Sequence, residues 1–403
     1  MALDIRRDFS DTFYMKLAVI VDTFPRWSER FVARELSELA RRGVDFTIFC
    51  LKAGSLPDAD DADFAGLESR RVVLPSCIMP KALAAKADAA LERRRKLAQN
   101  ELGLRGYAKV QCAAVLATLL RDGNFSHVYA HFASLPSTIG WLAAAETGLP
   151  FSMSVHARDV FVDAQLLKEK IQDSARVFTC HTRAFDFLRE STPAAQREKL
   201  VLMHHGLPLE QFLDCARLAP APVPVLLAAG RFVPKKGFET LLAAAADPRV
   251  AERDFRLLLL GEGPLEKKLR AQIKKLKLSA KVEVHPPTAG VELKKTFAAA
   301  DLFIAPYETA GDGDSDGVPN TILEAFAFGV PVLGTAAGGL SEILDKETGT
   351  IVAEKSPAEL ATALLRFLNS PTEFSAKTAV ARKRIERDYD IRKNTAPLLE
   401  LLR

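Results

Sequence analysis

The chain has 403 residues, which at roughly 100–200 per domain suits two domains or three. Hydrophobic residues make up 48% and charged residues 26%, which excludes a disordered chain and supplies apolar surface for two cores. Lys and Arg total 55 against 51 Asp and Glu, and a net charge of +4 does not argue for wholesale nucleic-acid binding, so no nucleic-acid partner is expected.

Lys16–Asp22 (KLAVIVD) is short, apolar and β-branched, and it runs into the turn-prone FPRWS; it reads as a buried strand. A helical pattern follows from Ser28, the expected N-cap, to about Arg42, with Phe31, Leu36 and Leu39 on its apolar face. Gly43 closes it and Val44–Cys50 is the next strand. His127–Phe132, Pro150–His156, Arg176–Cys180 and Lys199–His205 read as further strands, with a helix over Ser137–Thr147. Leu213–Pro224 holds prolines at 220, 222 and 224 and no periodicity, so it is the expected linker.

The alternation then restarts. Strands are expected at Val225–Gly230, Phe255–Gly261, Lys281–His285, Asp301–Pro306, Pro331–Thr335 and Thr350–Val352. Helices are expected over Gly237–Ala246, Pro264–Lys277, Val291–Ala299 and Pro319–Phe328. Ser356-Pro357-Ala358-Glu359 is a capping box with proline at the first helical position, so a helix starts there. Ser375–Arg403 reads as one or two helices. Strands alternating with helices imply parallel sheets covered on both faces. The fold class is therefore α/β, with two doubly wound Rossmann-like domains facing across a cleft. The boundaries fall at 1–217, 218–374 and 375–403, the last a helical tail packing back on the first domain.

The five cysteines (Cys50, Cys77, Cys112, Cys180, Cys215) are odd in number and form no C-x-x-C, so neither a disulfide frame nor a zinc knuckle is indicated. They read as reduced thiols of a cytosolic protein. No apolar run reaches the ~18 residues of a membrane span. Residues 1–15 carry no apolar stretch of the signal-peptide kind.

Four clusters sit where strands end, the place where open parallel sheets bind ligands. Gly230-Arg231-Phe232-Val233-Pro234-Lys235-Lys236-Gly237 puts cations beside a helix start, an anion site by charge and dipole. A solvated basic turn would look the same. Gly261-Glu262-Gly263-Pro264 lets a ligand approach the backbone, or is simply a tight turn. The acidic run Asp312–Gly317 imitates the start of a calcium loop. Counting from Asp312, however, the twelfth residue is Leu323 and not Glu, and Pro319 falls eighth. Calcium is set aside and no metal is expected. Asp316 and Glu324, eight positions apart around a helix start, read instead as two carboxylates reaching one ligand. A dipole-stabilising acid and a solvated Glu are the plainer alternative, but Glu324 lies in an apolar helix. His156-Ala157-Arg158-Asp159 closes a strand of the first half and faces the expected cleft; histidine can bond hydroxyls in either protonation state.

The segments GRFVPKKGFETLL, LLLLGEGPLEKKL, DGVPNTILEAFAFGVPVLGTAAGGLSEIL and HARDVF resemble the retaining glycosyltransferases of family 4. TFPRWSERFVARELSELARRG and HVYAHFASLPSTIGWLAAAETGLPF are similar to its bacterial exopolysaccharide branch, which includes the colanic-acid-type enzymes. The resemblance runs over about residues 16–370, with its motifs in order. It implies the GT-B fold, with a nucleotide sugar held mainly by the second half. It implies a UDP-sugar ahead of a GDP-sugar, no metal or other cofactor, and a saccharide or lipid-linked saccharide acceptor. Carried onto this sequence, Arg231 and Lys236 grip the diphosphate and Glu324 bonds the ribose. Asp316 stands where the family has glutamate and contacts the donor sugar, as does His156. Gly230, Gly263 and the backbone at Gly317 and Val318 complete the donor side. Ser28, Glu29, His131, Arg158 and Asp159 fall on the acceptor side. His156, Arg231, Lys236 and Asp316 are the expected catalytic set.

Residues 81–109 and 266–281 are basic and helix-like, which suggests peripheral contact with anionic lipid on the cytoplasmic membrane face; a solvated helix surface reads alike. Rival readings are a nucleotide-sugar epimerase or phosphorylase on the same architecture, or a non-catalytic two-lobed sugar-binding protein.

Overall fold

A computed structural model describes residues 15–56, 61–75, 88–103, 106–212 and 222–401. Residues 213–221 of the expected linker, the first fourteen residues, and Cys77, Lys81, Lys86, Arg105 and Cys215 lie outside the described residues.

The first sheet has seven parallel strands: β1 (Lys16–Phe24), β2 (Asp45–Ala53), β3 (Arg71–Val73), β4 (His127–His131), β5 (Phe151–Val155), β6 (Arg176–Thr179) and β7 (Leu200–Leu202). Their order is β3-β2-β1-β4-β5-β6-β7. The second has six: β8 (Val225–Ala229), β9 (Arg256–Leu260), β10 (Val282–His285), β11 (Leu302–Ala305), β12 (Val332–Thr335) and β13 (Thr350–Val352), in the order β10-β9-β8-β11-β12-β13. The expected α/β class with two Rossmann-like sheets is thus what the chain forms.

Burial explains the strands. β4, β5, β8, β11 and β12 are buried at every position, as unbroken apolar runs should be when helices cover both faces. Successive residues serve opposite layers. Ala18 and Ile20 pack with Val128 and Met153 on one face, while Leu17 and Val19 pack with Tyr129 and the helix Arg30–Arg41 on the other. Leu226, Ala228 and Ile304 likewise face one layer of the second sheet, and Leu227, Phe303 and Ala305 the other.

Three local expectations need correction. Ser28 does not cap a helix; it sits in a short 3-10 turn, Trp27–Glu29, and the α-helix begins at Arg30 with Glu29 at the cap. Pro319 is the cap residue of the helix Asn320–Ala327 rather than its first residue, and its φ of −74° suits that place equally well. The capping box at Ser356 is half formed. Its hydroxyl accepts from Glu359 N–H, but the Glu359 carboxylate turns to Ala353 N–H.

The chain end joins both halves. Ala381 and Ile385 of the helix Thr378–Asp388 lie in the core of the second sheet, whereas Leu398 lies in that of the first. Leu207 N–H donates to Tyr389 O at 2.8 Å and Leu207 O accepts from Ile391 N–H at 3.1 Å.

Strand order sets the site. In the first sheet the order reverses between β1 and β4, in the second between β8 and β11. Loops leaving those four strands part to opposite sides and leave a crevice at each carboxyl edge.

Candidate functional site

The two crevices open on one cavity of about 850 Å³ between the sheets. β1 contributes Ser28 and Glu29, β4 Phe132 and Ser134, β8 Gly230, Arg231 and Val233 to Lys236, and β11 the loop 310–319 apart from Gly313. His156, Arg158 and Asp159 enter after β5, and Glu324 enters from the helix Asn320–Ala327.

Lys236 ends a 3-10 turn that Gly237 closes at φ +62°. A side chain at Gly237 would put its Cβ 1.7 Å from Pro306 O, so the turn needs glycine on both counts. The turn seats Lys236 Nζ 2.7 Å from Asp316 Oδ2 and 3.9 Å from the Tyr307 ring centre. Burial would lower the pKa of Lys236, but Asp316 outweighs it and keeps the ammonium charged. Lys235, which sequence reasoning did not single out, lies 3.0 Å from Asp314 Oδ1 and 3.1 Å from Asp316 Oδ1. Burial pushes the Asp316 carboxyl up, yet Lys236 and Lys235 together hold it well below the usual carboxylate range. Arg231 is exposed on the cavity wall, and its charge reaches Glu29 across the cleft.

The acidic loop is therefore committed to cations of the protein. Asp314 also meets Arg158 Nη1 at 3.1 Å, and Asp312 lies 3.7 Å from the same group. This gives the calcium reading no support, and it gives Asp314 a role that spacing alone did not show.

Glu324 is buried, and its Oε1 accepts from Arg34 Nη2 of the first domain at 2.6 Å. Gly317 touches the first domain too: a Cβ there would sit 2.5 Å from the His181 ring. Among the described residues the N–H groups of Gly317 and Val318, ahead of the helix, have no acceptor.

His156 belongs to an aromatic wall. Its ring centre lies 4.4 Å from Phe132, 4.9 Å from Phe31 and 5.2 Å from His205. Both ring nitrogens are buried without a partner. Burial pushes its pKa well below the usual value, so the ring is neutral and can both give and take a hydrogen bond. His156, Cys180 and His205 bring donor atoms within 4.8 Å of one another, a spacing a soft or borderline cation can use. Burial keeps the Cys180 thiol protonated, and Phe31 stacks on His205 at 4.1 Å, so in this state the cluster is a packed wall.

Two residues expected at the site lie off the cavity wall. Gly263 is glycine because a Cβ would meet the Phe232 backbone at 2.7 Å. His131 is fully buried behind His156, with Nε2 3.3 Å from Glu35 Oε1. Asp159 reaches the wall, but its oxygens accept from the N–H groups of His156 and Ala133; burial pushes its pKa up to about 7.

Residues 223–370 match the family described as glycosyl transferases group 1. A colanic acid biosynthesis glycosyltransferase of Escherichia coli (strain K12) is 31% identical over 51% of this chain and 52% of its own. The chain thus spans about half the length of that relative. An amylovoran biosynthesis glycosyltransferase of Erwinia amylovora is 24% identical over 93% of this chain and 96% of its own. The solved Alr3699/HepE of Anabaena, in complex with UDP and glucose, superposes with a TM-score of 0.72 at 16% identity, over 96% of this chain and 99% of that one. The fold is the two-domain GT-B fold of glycosyltransferases. Residues 223–370 form a group 1 glycosyltransferase domain.

Proposed function

We propose that the chain is a retaining glycosyltransferase. It moves a sugar from a nucleotide-diphosphate sugar to a saccharide or lipid-linked saccharide acceptor in surface polysaccharide synthesis. The observation that carries this reading is the convergence of Arg231, Lys235, Lys236 and Glu324 on one cavity that His156 enters from the other domain.

The roles follow from charge and position. Lys236 and Arg231 take the diphosphate, with the free N–H groups at Gly317 and Val318 on a phosphate oxygen. Glu324 takes the ribose. As phosphate displaces the carboxylates from the lysines, Asp316 turns to a hydroxyl of the donor sugar, and neutral His156 bonds another near the reacting carbon. Glu29, Ser28 and Arg158 edge the acceptor side. Attack and departure share one face, and a phosphate oxygen takes the acceptor proton. The uridine diphosphate bound by the Anabaena protein supports uridine as the base.

A thermal-shift series with UDP-, GDP- and ADP-sugars should raise the melting temperature with one base only, because a ligand of the folded state alone stabilises it. Glu324→Ala should then weaken that nucleotide roughly 10–150-fold, the worth of a hydrogen bond to a charged group. Unchanged affinity would overturn the ribose assignment.

Among the described residues no helix is long and apolar enough to cross a membrane. Of the two basic helices, Ala89–Leu102 spends Arg94 and Arg95 on Asp173 and Glu146. Lys267, Lys274, Lys275 and Lys277, in and just beyond the helix Glu266–Lys275, are exposed. That second surface is the better candidate for anionic lipid. In vesicle flotation the chain should follow anionic but not neutral liposomes and be released by high salt. Equal recovery from both would reject lipid contact.

A further inference from the structure

Arg34 is buried on the helix Arg30–Arg41 and does not line the cavity. Its guanidinium nevertheless joins the domains. Nη2 donates to Glu324 Oε1 at 2.6 Å, and Nε donates to Asp63 Oδ2 at 2.9 Å. Asp63 is held in turn by Arg30 Nη2 at 2.6 Å, and Arg30 grips Asp61 through both Nη atoms. Arg34 Nη1 is buried with no acceptor, and the Phe212 ring lies 5.5 Å from Cζ.

The consequence lies at Glu324. One of its oxygens is taken by Arg34, and among the described residues Oε2 has no partner. The carboxylate still lines the cavity. A free glutamate on a helix samples several rotamers and loses that freedom when it binds a ligand. A glutamate held at one oxygen by a fixed fork has already lost it.

We propose that Arg34 is a positioning residue for donor recognition. From the first domain it fixes Glu324 so that one carboxylate oxygen is presented to the ribose hydroxyls. The inference rests on the reading of Glu324 as the ribose-binding residue. It makes ribose recognition a property of both domains, although Arg34 touches no part of the donor. An ion pair that merely glues the domains would affect every ligand of the cavity alike.

The test uses the full chain and titration calorimetry with UDP and its 2′,3′-dideoxy counterpart, or with the guanosine pair where guanosine is the base bound. Wild type should bind the ribose form roughly 10–100-fold more tightly, as expected for a hydroxyl–carboxylate bond. Glu324→Ala should bring the ratio near one. Arg34→Lys keeps the charge but cannot fork between Asp63 and Glu324. It should bring the ratio below about threefold and leave dideoxynucleotide affinity within about twofold of wild type. Asp63→Asn, which weakens the far side of the fork by removing its charge and one of its two acceptor oxygens, should lower the ratio partway. If Arg34→Lys does not melt cooperatively, Asp63→Asn decides.

A wild-type ratio in Arg34→Lys or, failing its folding, in Asp63→Asn, alongside a lost ratio in Glu324→Ala, overturns the positioning role alone. Equal weakening of both nucleotides in Arg34→Lys also overturns it, leaving only domain attachment. A wild-type ratio in Glu324→Ala overturns the ribose assignment itself.

Discussion

Lys236→Ala should lower turnover at saturating donor by roughly 10²–10³-fold, the usual cost of losing one group aimed at developing charge. Negative charge on the leaving diphosphate grows only as the sugar–phosphate bond breaks. A cation there acts more on the transition state than on the bound donor. Lys236 is suited to this because it is buried, lies over the Tyr307 ring and stays charged against its burial. Arg231→Ala should cost less, because Arg231 is exposed and water screens it. Lys236→Ala leaves Asp316 with Lys235 at 3.1 Å, so the partly buried acid keeps a counter-charge. Steady-state kinetics with a melting curve on the same sample checks the claim. A larger rise in KM than fall in kcat would mean that Lys236 only binds the donor.

How much of this could be read along the chain depended on distance. β4, β8 and β11 were legible because burial on both faces demands unbroken apolar runs, and those are visible in a few residues. The place of Arg231 and Lys236 beside a cavity was legible because a strand, three cations and a helix-opening glycine follow one another within a few residues. The helix Gly106–Asp122 was not. It packs between other helices with every residue from Cys112 to Ala117 buried, and so shows no one-sided period. Arg34 gave no local signal either, sitting among Glu35, Ser37 and Glu38 like any charged helix position while its partner lies 290 residues away. Asp314 gave no usable signal for a related reason: its spacing imitates a calcium loop, and only the fold brings Lys235 and Arg158 to it.

Asp316→Asn should cost transfer roughly 10–150-fold, the equivalent of about 1.5–3 kcal/mol for a charge-assisted bond. The substitution keeps the shape, turns one acceptor into a donor, and leaves Lys235 and Lys236 facing each other with less counter-charge. Asp316→Glu restores both charge and acceptors and should retain more activity than Asp316→Asn. Its extra methylene must fit where both oxygens are already gripped, so it should not reach the wild-type rate. Asp314→Asn should fall between, because Asp314 bridges Lys235 and Arg158 across the cleft. Asp312→Asn should be near neutral, since Asp312 is half exposed and 3.7 Å from its cation. The pH dependence has a fixed sign. The Asp316 carboxyl sits below its unfolded value of 3.8, so its stabilisation is fully present above that pH. It is lost only as the pH falls further. Between pH 7 and pH 5 the ratio of wild-type to Asp316→Asn activity should therefore stay constant. A ratio that collapses toward pH 5 would mean that Asp316 titrates well above the ordinary carboxylate range and is not held by the lysines. Equal damage from all three Asp→Asn changes, with a melting temperature raised by calcium, would make the loop a metal site and remove Asp316 from the donor.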